Sequence, residues 1–168
     1  MMLDVTIEAD PEWDSSSGWA RLAEQAVHAA VAESAFPELA SAERAVEVSI
    51  RLAADEDVRA LNAEWRGKDR PTNVLSFPMT EPRELGAAGV PGPELMLGDI
   101  ILARGVCARE AEEKAIPIEI HAAHLMVHGT LHLLGHDHQD DRTAADMEAR
   151  ETRALARLGI ADPYVAGR

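Results

Sequence analysis

His128 and His132 stand four residues apart in the stretch His128-Gly129-Thr130-Leu131-His132-Leu133-Leu134-Gly135-His136-Asp137-His138. On a helix that spacing sets two imidazoles on one face, one turn apart. Gly135 follows, and glycine ends helices by taking a left-handed conformation. The spacing therefore predicts a chain reversal that frees His138 to swing back towards the pair. Three neutral imidazole nitrogens converging on one point form a metal site, and Zn²⁺ is the ion that suits them. Three protein ligands leave a fourth position for water, the pattern of a catalytic centre rather than a structural one.

Other trios are open to the same segment. His124 and His128 are also four apart, as are His132 and His136. A helix cannot aim residues six apart at one point, so the third ligand requires the reversal after His132. His128, His132 and His138 are the economical set. His136 and His138 point to opposite sides of an extended segment, which excludes one of them. His124 is the strongest competitor, or else lines the cleft and supports a ligand. Asp137 orients a ligand or the turn.

The spacing is shared with the metzincin proteases, whose pattern sets a glutamate directly after the first histidine as general base. Here that position is Gly129. The missing carboxylate moves the reading from peptide hydrolysis towards a hydrolysis that relies on a metal and a cation. Phosphodiester cleavage fits that description. The cation candidate is Arg66, in the basic segment Arg66-Gly67-Lys68-Asp69-Arg70. Its planar fork matches the oxygens on which charge builds.

The rest of the sequence bounds this reading. The 168 residues fit one domain with a sizeable core. No apolar run reaches the roughly 18 residues of a membrane span, and the start lacks the regions of a signal peptide. A single cysteine, Cys107, allows no internal disulfide and reads as a buried small hydrophobe. Together these lead us to expect a soluble cytoplasmic protein. The net charge of −14 argues against non-specific nucleic-acid binding and leaves the 66–70 segment as the local basic patch.

Alternating apolar residues predict strands at Leu3–Ile7 and at Val46–Leu52. Further strands are expected over Asn73–Phe77, closed by Pro78, and over Leu97–Leu102, broken in polarity by Asp99. Ser15, Ser16 and Ser17 can cap a helix with Trp19, Leu22, Val27 and Val31 on its apolar face. Asp55 can cap a second helix, stopped by Gly67. Residues 79 to 95, rich in proline and glycine, predict an exposed, mobile loop. Helices are expected from Ala103 to Ala115, from Pro117 to Leu134, and from Asp140 or Asp141 to Gly159. The class is α+β (α/β in the broad sense): one domain over 1–168, a roughly four-stranded mixed sheet and about five helices.

The sequence resembles the YbeY family of metal-dependent bacterial endoribonucleases. The eleven residues from His128 to His138 match that family's His-Gly-x-Leu-His-Leu-x-Gly-x-Asp-His. The segments from Arg66 to Pro78 and Leu97-Gly98-Asp99-Ile100 are similar to its elements, and the ending Asp162-Pro163-Tyr164 fits too. One departure is His136, where the family often has tyrosine. The resemblance implies one Zn²⁺ on His128, His132 and His138, and Arg66 as the functional arginine. It implies cleavage of single-stranded RNA, 3′-end maturation of 16S rRNA and ribosome quality control. The implied partners are rRNA, the small ribosomal subunit and the GTPase Era, with neither DNA nor membrane. On this reading Lys68 and Arg70 position the strand, while the acidic charge confines binding to the cleft. Two alternatives remain: a metalloprotease taking its base from Asp99 or Asp137, and a non-enzymatic ribosome-assembly factor braced by zinc.

Overall fold

The computed structural model describes residues 3–13, 18–42, 44–86, 92–137 and 139–164. Four strands form one mixed sheet: β1 (Leu3–Ala9), β2 (Val46–Ala53), β3 (Val74–Pro78) and β4 (Leu95–Ala103). Their spatial order is β1-β2-β4-β3, with the first three parallel and β3 antiparallel to β4 at the edge. The helices are α1 (Trp19–Glu33), α2 (Asp55–Arg66), a single turn α3 (Pro82–Leu85), α4 (Arg104–Glu113), α5 (Ile118–Leu133) and α6 (Asp141–Arg157). Among the described residues no helix is long and apolar enough to cross a membrane.

The alternation in β2 builds the main core. Val46, Val48, Ile50 and Leu52 are buried beneath α1 and α5, with α6 packed behind them. α5 is enclosed on nearly every side, with Ala122, Met126, Val127 and Leu131 fully buried. A smaller core lies on the other face, where Val58 and Leu61 of α2 cover Ala53, Leu75 and Ile101.

The broken polarity of β4 has a specific cause. The register with β2 slips so that Glu47 faces Met96 and Val48 faces Gly98, leaving Leu97 as an extra residue. Leu95 and Leu97 before the slip, and Ile100 and Leu102 after it, therefore share the main core. Asp99 falls with Ile101 on the α2 side. Gly98 sits at the slip with φ +146°, and a Cβ there would stand 2.2 Å from the Phe77 carbonyl oxygen. Only glycine fits that approach.

Several boundaries differ from those expected. Asp55 is the first residue of α2 and Ala54 precedes it as the cap, without a side-chain bond. The carboxylate of Asp55 caps α4 instead, accepting from the amides of Gly105 (2.8 Å) and Val106 (3.1 Å). The stretch from 79 to 95 is not uniformly exposed: Leu85 and Thr80 are buried, and β4 already begins at Leu95. Ser15, Ser16 and Ser17 lie outside the described residues, and the residue that caps α1 is Gly18. The residue that caps α6 is Asp140 rather than Asp141, in a reciprocal cap with Thr143.

Candidate active site

α5 carries His121, His124, His128 and His132, and its end is set by Gly135 at φ +90°. The Gly135 amide donates to the His132 carbonyl (3.0 Å) and the His136 amide to the Leu131 carbonyl (3.0 Å). This is the Schellman arrangement, which satisfies the last carbonyls while turning the chain back. His128 and His132 stand side by side, ring centroids 5.2 Å apart. Two imidazoles so placed can ligate one transition-metal ion. Asp137 follows the turn, half-buried; His138 lies outside the described residues.

Behind His128 is a residue that the sequence reading did not single out. Glu151 of α6 is fully buried, and its Oε1 meets Nδ1 of His128. Its Oε2 meets Nε2 of His124 at 3.3 Å and accepts from the Tyr164 hydroxyl. Burial alone would raise this carboxyl's pKa. The bonds from His124, His128 and Tyr164 outweigh burial and hold it down at about 2. Glu151 is thus a buried anion fastened by three donors. A signal was present in the sequence: Met147, Glu151 and Leu155 follow one another at helical spacing along the buried face of α6. A charge on an apolar stripe is unusual enough to ask what it binds.

Farther along α5, His121 is buried and its Nε2 lies 2.8 Å from Oε1 of Glu110. The same oxygen accepts from Asn73 at 3.0 Å. Desolvation lowers the pKa of His121 against the pull of Glu110. A cavity of about 260 Å³ opens among Asn73, Glu110, His121, His124, His128 and Tyr164, so three of the four imidazoles of α5 line a cleft beside the start of β3.

Arg66 ends α2, as its sequence position suggested, and Gly67 caps the helix. Its Nη2 donates to the Ser76 carbonyl on the outer edge of β3 (2.9 Å), and its guanidinium carbon lies 5.5 Å from the centre of the Phe77 ring. β3 is thus the element both halves share: the histidine cleft borders Asn73 and Val74, and Arg66 holds Ser76. Buried Asn62 shapes the basic loop. Its carbonyl accepts from the Lys68 amide (3.2 Å) and its side chain donates to the Arg70 carbonyl (2.8 Å). Asp69, the loop's one acid, pairs with Arg59, while the Lys68 and Arg70 side chains are exposed.

Two other residues are placed elsewhere. Nε2 of His136 accepts from the Ala35 amide (3.2 Å), and its Nδ1 faces Asp146 at 3.8 Å. Both ring nitrogens of His136 are thus directed at protein groups near α1 and α6. Asp99, one source proposed for a protease base, lies on the opposite face of the sheet from α5, in a groove with Trp65 and Phe77. Cys107 is buried as expected, and burial pushes its thiol up to about 12.

Comparison with known proteins identifies the family. A family model described as Endoribonuclease YbeY matches residues 8–159. A protein named Endoribonuclease YbeY from Rhizorhabdus wittichii is 52% identical over 164 residues, covering 97% of each chain. The protein of that name from Agrobacterium fabrum is 47% identical over 169 residues, covering 96% of this chain and 95% of that one. A solution structure of TM1509 from Thermotoga maritima superimposes with a TM-score of 0.55 at 22% identity, over 95% of this chain and 98% of that one, a likeness of fold. The chain belongs to the YbeY endoribonuclease family.

Proposed function

We propose that this protein is a zinc-dependent endoribonuclease acting on single-stranded RNA, with His128, His132 and His138 as metal ligands and Arg66 as the catalytic cation. The observation that carries this reading is the arrangement about β3. A pair of imidazoles lies on one side, a guanidinium holds the outer edge, and glycine stands where a protease needs its base. The name shared by the relatives supports RNA as the substrate.

The donor chemistry fits Zn²⁺. With Nδ1 of His128 against a carboxylate, the nitrogen left for a metal is Nε2. When bound, the ion supplies Lewis acidity and a water of lowered pKa. The protein's own groups do the remainder. Arg66 stabilises charge on the phosphoryl oxygens as the pentacoordinate state forms. Lys68 and Arg70 hold the flanking backbone by charge. His124 and Asp137 support the ligands from behind. With a net charge of −14, the chain repels RNA except at this loop, which suits delivery by a ribosomal partner. The biological reading is maturation of the 16S rRNA 3′ end and ribosome quality control in the cytoplasm, on the small subunit and with the GTPase Era.

The same edge weighs against a peptidase. A peptide substrate bound by strand addition needs free carbonyls on the edge strand, and Arg66 already occupies that of Ser76. The test is cleavage of a single-stranded RNA oligonucleotide by zinc-loaded protein. We expect His128→Ala and Arg66→Ala each to lose about 100-fold to 1,000-fold in rate while remaining folded. Casein hydrolysis that survives Arg66→Ala would overturn the nuclease in favour of a protease. Zinc that raises stability without any RNA cleavage would overturn it in favour of an assembly factor.

A further inference from the structure

We propose that Glu151 is a positioning residue that fixes the tautomer and ring orientation of His128, and that Tyr164 latches Glu151 in place. This rests on the metal centre proposed above. A carboxylate can only accept hydrogen bonds. Its Oε1 lies against Nδ1 of His128, so that nitrogen carries the proton and the lone pair is left on Nε2. The ring is thereby prepared for a metal on the side away from α6.

Glu151 is itself held from the other side. Nε2 of His124 (3.3 Å) and the Tyr164 hydroxyl both reach Oε2, and Tyr164 also lies 3.3 Å from Nε2 of His124. The His124 and Tyr164 rings meet edge to face, 5.5 Å apart. Tyr164 is anchored in turn. Its amide donates to Oδ1 of Asp162 (2.8 Å), and the same oxygen accepts from Thr152 of α6 (3.4 Å). The ending Asp162-Pro163-Tyr164 thus becomes a latch that folds over α6 and closes on the carboxylate.

Stability alone does not account for this carboxylate. Replacing a buried charge network by apolar side chains of similar volume is commonly neutral or stabilising. An anion kept at the end of a row of donors is better explained by the group it orients. Outer partners of this kind alter metal affinity by about 10-fold to 100-fold when removed.

The experiment uses the full chain and two readouts. The first is the imidazole nitrogen-15 spectrum of metal-free protein, which reports the tautomer of His128 directly. The second is Zn²⁺ affinity by competition with a chromophoric chelator. Wild type should show His128 protonated on Nδ1. Glu151→Gln should mix the tautomers and weaken Zn²⁺ by about 10-fold to 100-fold. Tyr164→Phe, which leaves the carboxylate present, should weaken it by about 10-fold. It also serves as the test should Glu151→Gln fail to fold. If wild type binds Zn²⁺ and folded variants keep both the His128 tautomer and the affinity, the positioning role is overturned. If wild type binds no Zn²⁺ while the tautomer still follows Glu151, the metal centre is overturned and the Glu151–His128 relation stands.

Discussion

Gly129 faces Ile100 so closely that a Cβ on Gly129 would stand 2.9 Å from Cγ2 of Ile100. The residue after the first histidine of the motif is therefore packed against β4. A glutamate at 129, the protease arrangement, would begin its side chain inside the core. The absence of that base is built into the contact between α5 and the sheet.

A reversal of sign tests this contact. In an exposed helix, glycine to alanine gains about 1 kcal/mol. Here overpacking costs about 1–3 kcal/mol, so Gly129→Ala should lower the melting temperature. In an Ile100→Ala background, which removes all three of the close atoms, the same change should raise it. Each kcal/mol corresponds to about 2–4 °C at this chain length. Thermal unfolding of the four proteins decides the matter; a rise in both backgrounds would refute the packing argument.

Asp55 offers a second test, because the residue opens one helix and caps another. Removing a side-chain cap costs about 0.5–2 kcal/mol, so Asp55→Ala should lower stability by that amount. Asp55→Asn keeps an acceptor and should recover most of it. Gly105→Ala should give a similar loss by a different route, since its Cβ would fall 2.4 Å from Oδ2 of Asp55. The two losses act on one cap and should not add in the double variant. Full additivity in urea unfolding would show that the cap contributes little.

The parts of the fold written in local pattern were legible in the sequence. Alternation at Val46, Val48, Ile50 and Leu52 marked β2, and Gly135 marked the end of α5. The histidine spacing gave the face on which His128 and His132 meet. The parts that depend on distant partners were not legible. The Asp55 carboxylate serves amides 50 residues away, and nothing local says so. Leu85 is buried within a stretch whose prolines and glycines read as an exposed loop. The role of Glu151 is the clearest case. Its type predicts solvent, and only the meeting of α5, α6 and Tyr164 gives the three donors that let an anion stay buried.

The pH dependence of stability should carry the mark of Glu33, the last residue of α1. Its carboxylate accepts from Nε of Arg157 (2.7 Å) and Nε of Arg153 (3.0 Å), both on α6. The bond from Arg157 leads in holding its pKa below the ordinary 4.5, against a smaller opposing effect of burial, and Arg153 adds to it. A carboxyl whose folded pKa is depressed contributes stability in full above its unfolded value. That contribution is lost as pH falls through the lower folded value. Partly exposed pairs are screened, so the whole effect is about 1 kcal/mol or less. Glu33→Gln should therefore melt a few degrees below wild type at pH 7, and the gap should close as pH is lowered below 4.5. High salt should narrow the gap at pH 7 as well. A gap that stays constant from pH 7 to pH 3 would mean that the α1–α6 contact is held by packing and not by this charge.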